Sequence, residues 1–172
     1  MKPSLQLTIR AASSADAPHL ASAQRKIATS PGLLVSRPGE IDDARLAQKI
    51  EALNGADNGR FLVAEAAGGL VGHGMLDPLP FAAVRHVVHL TMVTHPGWQG
   101  RGVGGAILGA LIDWARASPA VGKIELHVRA TNQAARALYA RAGFREVGRL
   151  RQRVEVADGR YVDDVVMELL VD

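Results

Sequence analysis

The sequence predicts an α/β protein built on a mixed, mostly antiparallel sheet with helices on both faces. Three observations carry this. First, short alternating runs separated by turn residues pair up as hairpins: Arg60 to Glu65 with Leu70 to Leu76 around Gly68-Gly69, and Arg151 to Ala157 with Arg160 to Leu170 around Asp158-Gly159. Second, residues 86 to 141 read strand, helix, strand, helix, an order that implies parallel pairing through a right-handed crossover. Third, Ile107, Leu108, Leu111, Ile112 and Ala115 recur at helical spacing, giving an apolar stripe suited to packing on a sheet.

The elements follow in order. Leu5 to Arg10 alternates like a strand, and Ser13 or Ser14 with Asp16 supplies start chemistry for a helix through about Ala28, which Ser30-Pro31-Gly32 ends. A second helix spans Ile41 to Leu53, before Asn54-Gly55 and Asn58-Gly59 break the pattern. The strand from Leu70 stops near Asp77-Pro78, and a fourth strand, His86 to His95, ends before Pro96-Gly97. An amphipathic helix covers Val103 to Ala117 and closes at Ser118-Pro119. Lys123 to Arg129 alternates Ile124, Leu126 and Val128 with Glu125, His127 and Arg129, and a short helix follows from Asn132 to Arg141. Gly143-Phe144 starts another strand ahead of the final hairpin.

Composition narrows the function classes. At 172 residues and 48% hydrophobic content, residues 1 to 172 read as a single domain with one substantial core. Net charge is +3, the sixteen arginines are scattered from Arg10 to Arg160, and seven aromatics offer few stacking platforms, so no nucleic-acid partner is expected. The opening Met1 to Gln6 lacks an apolar signal core and no eighteen-residue apolar stretch occurs, so the expectation is a cytoplasmic protein without a membrane partner. The absence of cysteine excludes disulfides, a cysteine nucleophile and thiolate-held zinc. His86 and His89, three apart on a strand, project to opposite faces, and no metal is expected. No nucleophile-elbow motif supports a serine triad.

The stretch Gln99-Gly100-Arg101-Gly102-Val103-Gly104 is the chief functional signal. Clustered glycines cost helix stability, and at a helix start their N–H groups turn inward together to cradle phosphate oxygens. Gly100, Gly102 and Gly105 also satisfy the dinucleotide pattern G-x-G-x-x-G, with Glu125 about twenty residues on. Against that reading, Glu125 sits inside its strand, no strand directly precedes the glycines, and three strands come before a motif that normally opens the dinucleotide fold.

Together with Asn132-Gln133-Ala134-Ala135-Arg136-Ala137-Leu138-Tyr139-Ala140-Arg141-Ala142-Gly143-Phe144, this segment resembles the GNAT superfamily of acyl-CoA-dependent N-acetyltransferases. Gln99, Gly102 and Gly104 match all three positions of the family's cofactor pattern. Met92-Val93-Thr94-His95-Pro96 is similar to the family's fourth strand, whose backbone near a bulge bonds the pantetheine and the thioester carbonyl. The resemblance therefore implies acetyl-CoA as co-substrate, with pyrophosphate on the amides of Gln99, Gly100, Arg101, Gly102, Val103 and Gly104, and pantetheine along Met92, Val93 and Thr94. It implies a cofactor contact at Asn132 and, at Tyr139, a hydroxyl facing the sulfur and placed to give the leaving thiolate its proton. An amide near Val93 or Thr94 would supply the oxyanion donor.

The acceptor amine needs a route for proton loss. His127 is the candidate base, where related ribosomal-protein N-acetyltransferases place a glutamate; it equally suits a solvated strand position. His89 is the alternative. Tyr139 on an alanine-rich helix also suits a core aromatic, and Asn132 a helix cap. Arg149, Arg151 and Arg153 alternate and should share a strand face, either solvated or reading a carboxylate. Trp98 fits a surface anchor or the cofactor entrance. The expected activity is direct acetyl transfer to a primary amine, favouring a small molecule of amino-acid, polyamine or antibiotic type. A protein or peptide N-terminus and a non-catalytic CoA-binding module remain open, as does a homodimer.

Overall fold

The computed structural model describes residues 6 to 171, so Leu5, where the sequence opens the first strand, lies outside them. In chain order the elements are β1 (Thr8–Ala11), α1 (Ala17–Ala28), α2 (Asp43–Asn54), β2 (Arg60–Ala66), β3 (Gly69–Pro78) and β4 (Val87–Thr94). There follow α3 (Val103–Ala117), β5 (Lys123–Arg129), α4 (Gln133–Arg141), β6 (Arg145–Ala157) and β7 (Arg160–Leu170). The strands form one sheet in the order β1-β2-β3-β4-β5-β7-β6. All neighbours are antiparallel except β4 and β5, the parallel pair that the crossover through α3 requires.

Two local expectations are corrected. The β2–β3 turn sits at Ala67-Gly68, with φ of 50° and 76°, and Gly69 already pairs with Ala66. Two successive left-handed residues match the twist of a two-residue hairpin. The runs after Phe144 are one strand, β6, broken by register shifts, the largest between Leu150 and Val154 where Gln152 takes φ 49°. Strict alternation is interrupted there; Arg149 is held by Asp163 at 2.7 Å, and Arg153 lines the central cleft.

The helices divide between the faces. One face packs α3 and α4 through Val103, Ile107, Leu111, Leu138 and Tyr139 onto Leu62, Leu76, Val88, Leu90, Leu126 and Met167. The other packs α1 and α2 through Leu20, Ile50 and Leu53 onto Phe61 and Val63. By strand alternation His89, Thr91 and Val93, and likewise Glu125, His127 and Arg129, face α1 and α2. Asp16 begins α1 pinned by Arg10 at 2.8 Å, a contact that holds its carboxyl down at about 2.

Helix α3 lies unusually close to β3, because Gly72 and Gly74 leave room for it. A β-carbon on Gly74 would stand 2.7 Å from Ile107 Cγ2 and 3.1 Å from Met92 Cβ, and one on Gly72 would stand 2.8 Å from Val103 Cγ1. That approach sets the start of α3, and with it the glycine segment, beside the end of β4. No helix among the described residues is long and apolar enough to cross a membrane.

Gly74→Ala should therefore lower stability by about 1–3 kcal/mol through overpacking, read as a shift in the denaturant midpoint with unchanged slope. An unchanged midpoint would refute the close approach.

Candidate active site

Strands β4 and β5 pair at only three positions, Val87 with Lys123, Val88 with Ile124 and His89 with Glu125, and then diverge. The root of this fork is tied by Lys123, which contacts Glu125 at 2.9 Å and Glu168 at 2.6 Å. Glu125 is thus an ion-pair partner within the sheet, in keeping with the argument against a ribose-binding role.

Beyond the root, β4 turns unpaired backbone toward the gap. The His95 amide donates to the Val71 carbonyl at 2.9 Å and the Leu79 amide to the Val87 carbonyl at 3.1 Å, so odd-numbered β4 residues address β3. The backbone of Met92 and Thr94 points the other way, into the fork. This corrects two expectations. The β3–β4 register has no bulge, and Val93 directs its backbone to β3, leaving only its side chain to line the cleft. Thr94 O is approached by Gln99 Nε2 at 3.5 Å, so Gln99 also braces the loop with its side chain.

The cleft opened by the fork measures about 1080 Å³. It runs from the glycine segment, past Met92 and Tyr139, to α1, the α1–α2 loop and β6. At the first end, Gly100 and Gly102 have φ of 71° and 85°, and Gly102 caps α3. Among the described residues, no N–H from Gln99 to Gly105 donates to a backbone carbonyl. A β-carbon at Gly100 or Gly102 would meet nothing within 4 Å, whereas one at Gly104 would meet Thr94 Oγ1 at 3.4 Å and Leu138 at 3.6 Å. Free amides at a helix N-terminus, bordered by open space, suit a diphosphate. Arg101 lies over Trp98 at 5.1 Å, which places that aromatic at the loop. Asn132 caps α4, its Oδ1 accepting from the Ala135 amide at 3.1 Å, while it also lines the cleft. Capping α4 therefore does not take Asn132 out of the cleft.

The fork is addressed from both faces. From the α4 side comes Tyr139, 8% exposed and packed on Phe144 at 5.7 Å between ring centres, with burial pushing its phenol up to about 12. From the α1 side come His89 and His127, whose rings meet edge to face at 5.0 Å. The sequence offers these two as alternatives, and the fold brings them together. His89 is held below its ordinary value, chiefly by burial and secondarily by His127, with Glu125 and Asp77 opposing.

Sequence reasoning missed a buried chain beneath the loop. Gln24 Nε2 meets His73 Nε2 at 3.0 Å, His73 Nδ1 meets His95 Nε2 at 3.0 Å, and His95 Nδ1 meets the Leu70 carbonyl at 3.0 Å. Only one proton arrangement satisfies every atom. His95 donates from Nδ1 to Leu70, His73 donates from Nδ1 to His95, and the Gln24 amide donates to His73. Both rings are neutral in it. Burial carries His73, 2% exposed, down to about 3, and also lowers His95. His95 opens the loop, so the chain links α1 to the cofactor end. Its one signal in the sequence is a histidine flanked by Gly72 and Gly74 within a strand; the pairing needs the β3–β4 register.

Also missed was the anchoring of the α1–α2 loop. Arg129 donates to the Gly32 carbonyl at 2.9 Å and to Asp164 at 2.6 Å, and Asp164 is 2% exposed. Among the described residues no group of three or more His, Asp or Glu side chains is placed to hold a metal ion.

A forked sheet with an amide-lined loop across its mouth is a cofactor-binding α/β arrangement. The Acetyltransferase (GNAT) family model matches residues 30–144, and the chain belongs to that family. It is 39% identical over 104 residues to the N-alpha-acetyltransferase RimI of Mycobacterium tuberculosis (strain ATCC 25618 / H37Rv), a match covering 57% of this chain and 61% of that protein. The chain thus spans less than two thirds of the curated relatives it matches. Ribosomal-protein-alanine N-acetyltransferase from Brucella melitensis superposes with TM-score 0.83 at 30% identity, covering 95% of this chain and 99% of that one. The yncA structure from Salmonella typhimurium, solved with its cofactor acetyl-CoA, superposes with TM-score 0.84 at 26% identity, covering 96% and 94%.

The histidine chain sets a pH dependence. An unfolded histidine protonates near 6.5 and folded His73 near 3, so as pH falls the unfolded state takes up protons first. The chain's contribution is whole above about 6.5 and drains away below it at about 1.4 kcal/mol per pH unit for each proton. Denaturant midpoints should fall between pH 7 and pH 5 and fall less in His73→Gln; equal slopes in the two proteins would contradict this.

Proposed function

We propose that this protein forms one N-acetyltransferase domain that moves an acetyl group from acetyl-CoA to the primary amine of a small molecule by direct attack in a ternary complex. The observation that carries the reading is the fork itself: unpaired β4 backbone, a line of free N–H groups and a buried phenol converge on one cleft. The family and the acetyl-CoA-bound relative support the cofactor assignment.

When bound, acetyl-CoA supplies an acyl group already activated as a thioester. The N–H groups from Gly100 to Gly104 hold diphosphate oxygens without side-chain reorganisation. The Met92 and Thr94 amides, fixed by the β3 pairing on their other side, are preorganised donors for an acyl oxygen gathering charge. Tyr139 remains protonated at neutral pH. As a weaker acid than a thiol near ~8.5, it stabilises departing sulfur by donating a hydrogen bond rather than giving up its proton outright. An amine with a pKa near ~10.4 arrives mostly protonated. His89 and His127, on the acceptor side, take that proton directly or through water, burial keeping His89 neutral and able to accept; the second proton, lost by the nitrogen once it is bonded to the acyl carbon, passes through water to the departing sulfur, which leaves as the thiol of CoA.

The small-molecule reading rests on the acceptor end, where the α1–α2 loop is anchored against β5 and β6. Besides Arg129 on Gly32, Arg37 pairs with Glu155 at 3.3 Å, and Gly32, at φ +87°, sits so near β6 that a β-carbon would stand 2.5 Å from Val156 Cγ1. A peptide terminus would need these contacts to part. The likeness to RimI favours that second reading.

Tyr139→Phe should bind acetyl-CoA within about twofold of the parent by calorimetry, yet lose roughly 100-fold in turnover measured by thiol release. Unchanged turnover would remove the role of Tyr139, and absence of acetyl-CoA binding by the parent protein would remove the whole reading.

A further inference from the structure

We infer that the acceptor is an amine carrying a carboxylate and an apolar side chain, the chemistry of a free amino acid, and that Lys26 and Arg153 read the carboxylate. This inference rests on the function proposed above and names the substrate class of the same site.

Charge around the acceptor end is unbalanced. The acid that lines the cleft, Asp164, is taken by Arg129 at 2.6 Å, and on the adjoining hairpin Asp163 and Glu155 are taken by Arg149 at 2.7 Å and Arg37 at 3.3 Å. Lys26, in the last turns of α1, and Arg153, just past the β6 irregularity, also line the cleft, and neither has an ion-pair partner among the described residues. The end therefore carries unmatched positive charge.

A second cation on the acceptor, as in a polyamine or aminoglycoside, would meet repulsion and find, among the described residues lining the cleft, no unpaired carboxylate to receive it. A carboxylate instead finds a guanidinium fork and an ammonium, the groups suited to charge-assisted recognition. The same cleft is lined from α1 and the α1–α2 loop by Ile27, Leu33, Leu34 and Val35. Leu33 and Val35 are 62% and 76% exposed, an apolar surface that an aliphatic side chain would cover. One cleft thus offers a proton acceptor for the amine, cations for the acid and an apolar wall for the side chain.

The test has a binding arm and a turnover arm. In the binding arm, calorimetry in the presence of CoA compares N-acetyl-L-leucine with N-acetyl-L-leucinamide, which differ in the anion. The acid should bind at least about tenfold tighter, and in Lys26→Gln, Arg153→Gln and the double variant the ratio should fall toward one while CoA affinity is retained. Equal binding of acid and amide by the parent protein, or variants that weaken both alike, would overturn the inference. In the turnover arm, thiol release is followed with L-leucine, L-leucinamide, spermidine and a leucyl tripeptide. Leucine should show the lowest KM, and preference for spermidine or the tripeptide would overturn the assignment. Thiol release with none of the amines, alongside selective binding of N-acetyl-L-leucine, would instead count against the catalytic reading and leave the carboxylate site standing.

Discussion

Everything at this site depends on β4 and β5 parting after three paired positions. Backbone N–H and C=O groups buried without partners are costly, and a sheet that forks creates such groups along a line. Here they belong to Met92 and Thr94, held rigid because the alternate residues of β4 remain locked to β3. The fork also admits side chains from both faces to the same gap, the phenol of Tyr139 from α4 and the imidazoles of His89 and His127 from the opposite face. A continuous sheet would keep these groups apart.

Two supports hold the opening in register with the glycine segment. Gly72 and Gly74 let α3 press onto β3, which brings the free amides at its start alongside the end of β4. The Gln24–His73–His95 chain ties α1 to the residue that begins the loop. Because that chain is satisfied by a single arrangement of protons, it works as a fixed strut while both rings are neutral. The acceptor and cofactor ends of the cleft are thus joined through buried contacts, independently of any bound molecule.

Much of this was legible in the sequence where a local rule governs. The spans of α3 and β5 matched their expected limits because helical and alternating periods are undisturbed there. The amide cradle and the cap at Asn132 followed from glycine spacing and capping chemistry. What failed depends on register. The β-bulge expected in β4 is absent, Val93 turns its backbone away from the gap, and the pairing of β6 is interrupted around Gln152. The His73–His95 contact, between residues 22 positions apart, and the Arg129–Asp164 pair, 35 apart, arise from strand pairing, which no local pattern specifies. Why the α1–α2 loop folds onto β6 was likewise hidden until Gly32 and Val156 met.

The most direct test of the central claim is a residue-resolved amide NMR titration with CoA, since the claim concerns particular N–H groups. We expect the largest shifts at Gly100, Gly102, Val103 and Gly104, with Met92 and Thr94 responding along the fork while Val93, bonded toward β3, moves less. Saturable shifts centred elsewhere, with the glycine amides and Met92 unmoved, would contradict the account.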